Sequence, residues 1–376
     1  MQIDTWIKKE QESLIALRRW FHMHPEPSMK EYETAAKIEE ELTRIGVAHR
    51  RIRETGVFAS ISGEKGSGKV LVLRADMDAL SMEDLLDKSY RSVNFGYAHA
   101  CGHDAHTAVL LHAVKLLQER RHEFAGEIRF FFQPGEETPG GAEPMCKSGI
   151  FEQYHIKRIF GFHVWPMLDK GVIATRRNEF MARSSEVNID ITGKSAHAAK
   201  YQEGIDAMEI AARYLLDLYT MEQEELSAET YRLLRFGLLK SGTVRNVVSN
   251  AARMEGTLRA FQDETYQYMK KRMLELAKPY EEHGAVFSFD INTGYPAVMN
   301  DAALVDQVLK LDPNIVLLEK PEMISEDFAH YQRRVPGVFF FLGTGTGIAL
   351  HAHNFDFDEE VLEAGVKEYC KLSRME

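Results

Sequence analysis

EIRFFFQPGEE, residues 127–137, is an apolar run that breaks into a turn and two adjacent carboxylates. Its three phenylalanines leave no polar face, so it reads as a strand covered on both sides, as in the middle of a parallel sheet. The flanking sequence alternates: VFASISG (57–63) and KVLVLRADMDA (69–79) predict strands, TAVLLHAVKLLQERR (107–121) a helix, and IKRIFGFHVWP (156–166) another strand. That order predicts an α/β layer, helices packed on a mixed, largely parallel sheet. Further out, an amphipathic segment running through Phe21 breaks at HPEPS (24–28), and Ser28 is expected to open a second helix that Gly46 stops.

Beyond residue 183 the pattern changes. SSEVNIDITG (184–193), IDAMEIAARYLLDLYTME (205–222), YRLLRFGLLKSG (231–242), AARMEGTLRAF (251–261), DETYQYMKKRMLELAKPYEEHG (263–284) and AVFSFDIN (285–292) read strand, helix, strand, strand, helix, strand. This is the split βαβ, ferredoxin-like order of a small α+β domain. TGYPAV (293–298) then leads back to α/β material that ends in GVFFFLGTGTG (337–347) and the helix DEEVLEAGVKEYCKLS (358–373). The domains expected are therefore 1–182 with 294–376, discontinuous, and 183–293 inserted.

At 376 residues the chain is long enough for two domains, and 44% hydrophobic with 27% charged residues is ordinary globular composition. A formal charge of −11 argues against nucleic-acid or anionic-membrane partners, which require clustered Lys and Arg. The charged N-terminal stretch lacks a signal-peptide core, and no apolar run reaches the ~20 residues of a membrane span, so a cytoplasmic location is expected. The three cysteines, Cys101, Cys146 and Cys370, are not spaced as a disulfide framework, which fits a reducing compartment. Cys146 and Cys370 read as packing.

Chemistry-bearing residues collect at one edge. In AHACGHDAHTA (98–108), Cys101 and His103 stand two apart with Gly102 between them, so sulfur and nitrogen can reach one ion. A thiolate with an imidazole suits zinc or a similar transition metal. LVLR leads to Asp76 and Asp78, RFFFQ to Glu136 and Glu137, RIFGF to His163, and GVFFFLG through a glycine loop to His351. All are expected at the carboxyl ends of strands, where α/β sheets assemble their sites. One of Glu136 and Glu137 would bind an ion and the other act as base, and adjacency does not say which. A metal beside a spare carboxylate implies hydrolysis. The glycine loop GTGTG lacks the helix start and Lys-Ser/Thr of a nucleotide cradle and reads as a turn presenting His351.

In this order LRRWFHMHPEPSMKEYETA, RADMDAL, CGHDAHTA, FQPGEE, GFHV, GKSAHAA, GTLRAF, ISEDF and LHAHNFDFDEE resemble the M20 metallopeptidase superfamily, across nearly the whole chain. The branch resembled is that of the amidohydrolases: aminoacylases, hippurate hydrolases, auxin-conjugate hydrolases and N-acetyldiaminopimelate deacetylases. The resemblance implies a binuclear centre of two divalent ions (Zn, Mn, Co or Ni) on Cys101, His103, Glu137, His163 and His351. It also implies Glu136 as general base and acid, and Asp78 and Asp104 as residues that orient ligands. The inserted domain would be a lid and homodimer surface. From it His197 would donate to the oxyanion, in cis or in trans, and Asn246 and Arg259 would hold a substrate carboxylate. The implied activity is hydrolysis of small N-acyl amino acids, with N-acetyldiaminopimelate deacetylation as the alternative, which EETPGGAEPM (136–145) resembles. Two departures stand out. Many relatives have alanine at Gly135, a small-for-small change expected to leave the chemistry intact. Tyr201 and Asp206-Ala207 replace a proline and an Asp-Pro in the lid, which bears on specificity. Rival classes are a hydrolase with Cys101 as nucleophile and a non-catalytic, metal-stabilised binding protein.

Overall fold

The computed structural model describes residues 2–375. The chain divides into two compact units: Met1–Phe180 with Met299–Pro321 and Asp327–Glu376, and Met181–Val298 with Glu322–Glu326.

The first unit is built on an eight-stranded sheet. Its strands run in the order Ala48–Ile52, Gly56–Ser62, Glu127–Gln133, Val70–Asp76, Arg158–Trp165, Gly337–Gly343, Ile173–Thr175, Val316–Leu317. The four central strands are mutually parallel, while Gly56–Ser62 and Ile173–Thr175 add antiparallel pairings toward the edges. Phe130, Phe131 and Phe132 are wholly buried, as their uninterrupted run requires of a strand covered on both faces. Against the sheet lies the helix His103–Glu119, itself packed on the helices Ile3–Met23 and Leu362–Leu372. It starts before the apolar run because Gly102, left-handed at φ 89°, turns the chain into it.

The second N-terminal helix spans Tyr32–Ile45 and stops at Gly46, left-handed at φ 77°. Its start differs from expectation. Glu31 stands at the N-cap, and the Ser28 hydroxyl donates instead to the Asp78 carboxylate at 2.6 Å. A parallel bridge between Pro27 and Ala79 holds the segment beside that partner, so a tertiary hydrogen bond replaces the local cap.

The second unit is a four-stranded antiparallel sheet in the order Val286–Ile291, Arg183–Thr192, Ala251–Ala260, Arg232–Ser241. The helices Ala207–Glu224 and Asp263–Glu282 pack on it. Val187, Ile189 and Ile191, at alternate positions of one strand, meet Tyr214 and Leu218 of the first helix and Met269 and Met273 of the second in a core separate from that of the first unit. Among the described residues, no helix is long and apolar enough to cross a membrane.

Candidate metal centre

The central strands of the first unit deliver the polar groups. Val70–Asp76 ends in Asp76, with Asp78 just beyond, and the turn after Glu127–Gln133 carries Glu136 and Glu137. His163 lies within Arg158–Trp165 rather than past its end. His351 follows Gly343 by a long loop and sits at φ 64°, a left-handed conformation uncommon outside glycine. Its N–H donates to Ala100 O at 2.8 Å, which fixes it beside Cys101.

Two donor sets meet at Cys101: Cys101, His103 and His163, and Cys101, Glu137 and His351. Within each set one potential ligand atom per residue lies within 4.8 Å of the others. Cys101 Sγ is 3.3 Å from His163 Nε2, and Glu137 Oε1 is 3.3 Å from His351 Nε2. The rings are oriented from behind. His103 Nδ1 is 2.9 Å from Asp78 O, and His163 Nδ1 is 2.7 Å from Val164 O, so each Nδ1 carries a proton and each Nε2 faces the site. His103 Nε2 and Glu137 Oε1 are buried without a hydrogen-bond partner. Buried polar atoms are normally paired, so two orphans on neighbouring donors mark a place for an ion. A thiolate, three imidazoles and a carboxylate suit a transition metal.

The electrostatics favour positive charge at His103, whereas burial and the neighbouring His106 hold the His163 imidazole well below its ordinary value. Burial opposes charging of His103, but Asp76 and Asp78 outweigh it and hold the imidazole up at about 10. Burial, reinforced by Glu137 and Glu136, pushes the Cys101 thiol well above its ordinary range, so a thiolate forms at this point only opposite a cation.

Asp78 braces the site: its Oδ1 accepts from Glu136 N at 2.9 Å, and its Oδ2 from Glu137 N at 3.0 Å. Glu136, 6% exposed, accepts from Asp327 N at 3.3 Å. Asp104 has different partners. Its carboxylate meets Arg18 Nε at 2.8 Å, His22 Nδ1 at 2.7 Å and Ala105 N at 2.9 Å, none of them among the five donors.

Residues to which the sequence assigns no role surround Asp76, itself expected at this edge. Asp76 also clusters with His103 and His106, yet it is held by Arg74 Nη1 at 2.8 Å and by His106 Nδ1 at 2.5 Å. His106 Nε2 in turn accepts from Val164 N at 3.0 Å, which locks the strand that carries His163. The signal available was position: His106 follows His103 by three residues, on the same helix face. Arg74, Gln133 and Asp327 form a buried cluster behind Glu136, with Arg74 Nη2 3.0 Å from Asp327 Oδ1 and Gln133 Nε2 2.8 Å from it. Its members lie in RADMDAL, FQPGEE and ISEDF, but no local pattern shows that the three side chains meet.

The remaining expected residues lie in the second unit. His197 is exposed, its Nδ1 accepting from Ala199 N at 3.2 Å, and Asn246 O accepts from Ala198 N at 3.0 Å, so these two segments are neighbours. Both adjoin the end of the sheet where Thr192 pairs with Ala251. Arg259 pairs with Ser184 at the other end of that ladder, about 27 Å away at strand rise. Its guanidinium donates to Met323 O and to Thr257 Oγ1. The structure thus gathers the five donors with Glu136, keeps His197 beside Asn246, and sets Arg259 apart from that pair.

Comparison with known proteins identifies the family of the chain. Residues 72–374 match Peptidase family M20/M25/M40. An N-acetyldiaminopimelate deacetylase of Lacticaseibacillus casei is 32% identical, with 95% of this chain and 96% of that one covered. Thermostable carboxypeptidase 2 of Saccharolobus solfataricus is also 32% identical, with 98% and 96% covered. Among solved structures, a Bacillus subtilis dinuclear metal-binding peptidase from the M20 family superposes with a TM-score of 0.84 at 31% identity, covering 97% of this chain and 98% of that one. The chain is a hydrolase that belongs to peptidase family M20/M25/M40.

Proposed function

We propose that the protein is a metal-dependent amidohydrolase that cleaves N-acyl amino acids, N-acetyl or aromatic acyl, into a free amino acid and a carboxylic acid. The observation that carries this reading is the pair of donor sets sharing Cys101, with the Glu136 carboxylate alongside. Cys101, His103, Glu137, His163 and His351 would hold two divalent ions, with Asp78 orienting His103. When bound, such ions polarise a carbonyl and lower the pKa of water.

The chain supplies the rest. Glu136 takes a proton from water as it attacks the acyl carbon, then returns it to the amine nitrogen as the C–N bond breaks. His197 donates to the oxygen on which negative charge develops. Arg259, with its bidentate fork, and Asn246 hold the substrate carboxylate. His197 and Asn246 lie at one end of the second unit's sheet and Arg259 at the other, which favours a homodimer in which the first two serve the partner subunit's substrate. The edge strand Arg232–Ser241 leaves Leu238 and Leu239 40% and 41% exposed, a surface suited to such pairing.

A second reading, N-acetyldiaminopimelate deacetylase, has the Lacticaseibacillus casei relative in its favour. One experiment tests both: amine release from N-acetyl and N-benzoyl amino acids and N-acetyldiaminopimelate, on chelated protein with and without added manganese or zinc. Metal-restored release is expected, and the best substrate chooses between the readings. Release indifferent to chelation would transfer catalysis to Cys101 and overturn the proposal.

A further inference from the structure

The segment Pro27–Glu31 has no part in the chemistry above, yet it lies directly against the turn that carries Glu136 and Glu137. Met29 adopts φ 64°, and a β-carbon added at Gly135 would lie 2.6 Å from its Sδ. Glu31 is wholly buried. Its Oε1 accepts from Met29 N at 2.7 Å and from Gly135 N at 2.8 Å, while Oε2 accepts from Thr55 Oγ1 at 2.8 Å. Asp78, itself tied to Ser28, takes the next two amides, those of Glu136 and Glu137. Three successive backbone N–H groups therefore end on two buried carboxylates. Burying one carboxylate near another is unfavourable, and burial with the Asp78 charge pushes the Glu31 carboxyl up to about 7. A buried acid that satisfies three donors from three separate stretches of chain, in spite of that penalty, is placed for geometry.

We propose that Glu31 is a positioning residue for the metal centre: by holding the Gly135 amide it sets the direction in which the Glu136 and Glu137 side chains leave their turn. This rests on the ligand and base roles proposed for that pair. What Glu31 supplies is acceptor oxygen rather than charge. In Glu31→Gln the amide oxygen still receives both N–H groups, and the –NH2 faces the Thr55 hydroxyl, which can accept. Glu31→Ala leaves the Gly135 amide buried and unpaired.

The test is titration of metal-free wild-type protein, Glu31→Gln and Glu31→Ala with Co²⁺, read by ligand-field and thiolate charge-transfer absorption, with kcat and KM measured after reloading. Glu31→Ala is expected to bind Co²⁺ about 10- to 100-fold more weakly, the usual penalty for losing a residue that supports a ligand, with altered bands and lower kcat. Glu31→Gln should keep the wild-type affinity and spectrum. A folded Glu31→Ala protein with wild-type affinity and bands overturns the proposal, and a Glu31→Gln protein as weak as Glu31→Ala overturns the acceptor account. If Glu31→Ala does not fold, Glu31→Asp, shorter by one methylene, must show weakened binding, and wild-type affinity there is equally fatal. Wild-type protein that binds no Co²⁺ would remove the metal centre itself, a failure distinct from that of Glu31.

Discussion

Glu136 and Glu137 are chemically identical and adjacent, and their surroundings differ. Glu137 directs an orphaned buried oxygen toward His351, whereas Glu136 accepts an amide hydrogen from Asp327. The Glu136→Gln variant is expected to lose at least about 100-fold in kcat while keeping its metal, because under the proposed roles the change removes the proton acceptor and leaves the five ligands in place. Metal analysis beside turnover decides it, and undiminished turnover would end the role assigned to Glu136. Gly135 is less neutral than its comparison with alanine implies. At φ 66° an alanine is strained, and its β-carbon would press on the Met29 thioether, so Gly135→Ala should destabilise by about 1–2 kcal/mol in thermal or denaturant unfolding. Unchanged stability would show that the turn relaxes freely.

At the scale of elements, the helix His103–Glu119 is anchored from behind. Arg18, fully buried on Ile3–Met23, meets Asp104 in its first turn at 2.8 Å, and Asp356 and Glu359 at 3.2 and 3.3 Å. One guanidinium thus links the N-terminal helix, the helix that carries His103 and the approach to the C-terminal helix. Removing one partner of a buried pair leaves the other charge short of compensation. Asp104→Ala should therefore lower unfolding free energy by about 3 kcal/mol in urea titration. Metal affinity should fall less than on loss of any of the five donors, since Asp104 touches none of them. A variant that keeps full stability but loses metal would place Asp104 among the ligand-orienting residues after all.

At the scale of the whole molecule, stability carries a pH dependence set by a carboxyl outside the two donor sets. Glu368 is 3% exposed on Leu362–Leu372, with Lys371 Nζ 3.8 Å away and itself bound to Asp312. Burial pushes its carboxyl up to about 7, above the 4.5 of the unfolded chain. The folded state therefore holds this proton more tightly, and stability falls as pH rises from 4.5 through 7. Glu368→Gln removes that loss: the variant should match wild type near pH 5 and exceed it by roughly 2 kcal/mol near pH 8 in denaturant unfolding. Equal stability at both values would mean that Lys371 fully compensates the buried charge.

Sequence alone determined the two architectures, because the hydrophobic period of a strand or helix is a local property: FFF buries on both faces, and VNIDI alternates. It also showed which side chains could serve a metal, since Cys101-Gly102-His103 and Glu136-Glu137 are short-range patterns, but His163 lies within its strand and His351 beyond a long loop rather than at strand ends. Tertiary structure decided which side chains act as partners. Ser28 left its helix for Asp78, fifty positions away, and Glu31 reached Gly135 across 104. His351 was brought beside Cys101 by a single backbone bond to Ala100. The segment Glu322–Glu326, which overlaps the motif ISEDF, joined the second unit, where Met323 O accepts from Arg259. Hydrogen bonds between distant stretches depend on where the folded backbone places donor and acceptor, and no local pattern of residues encodes that distance.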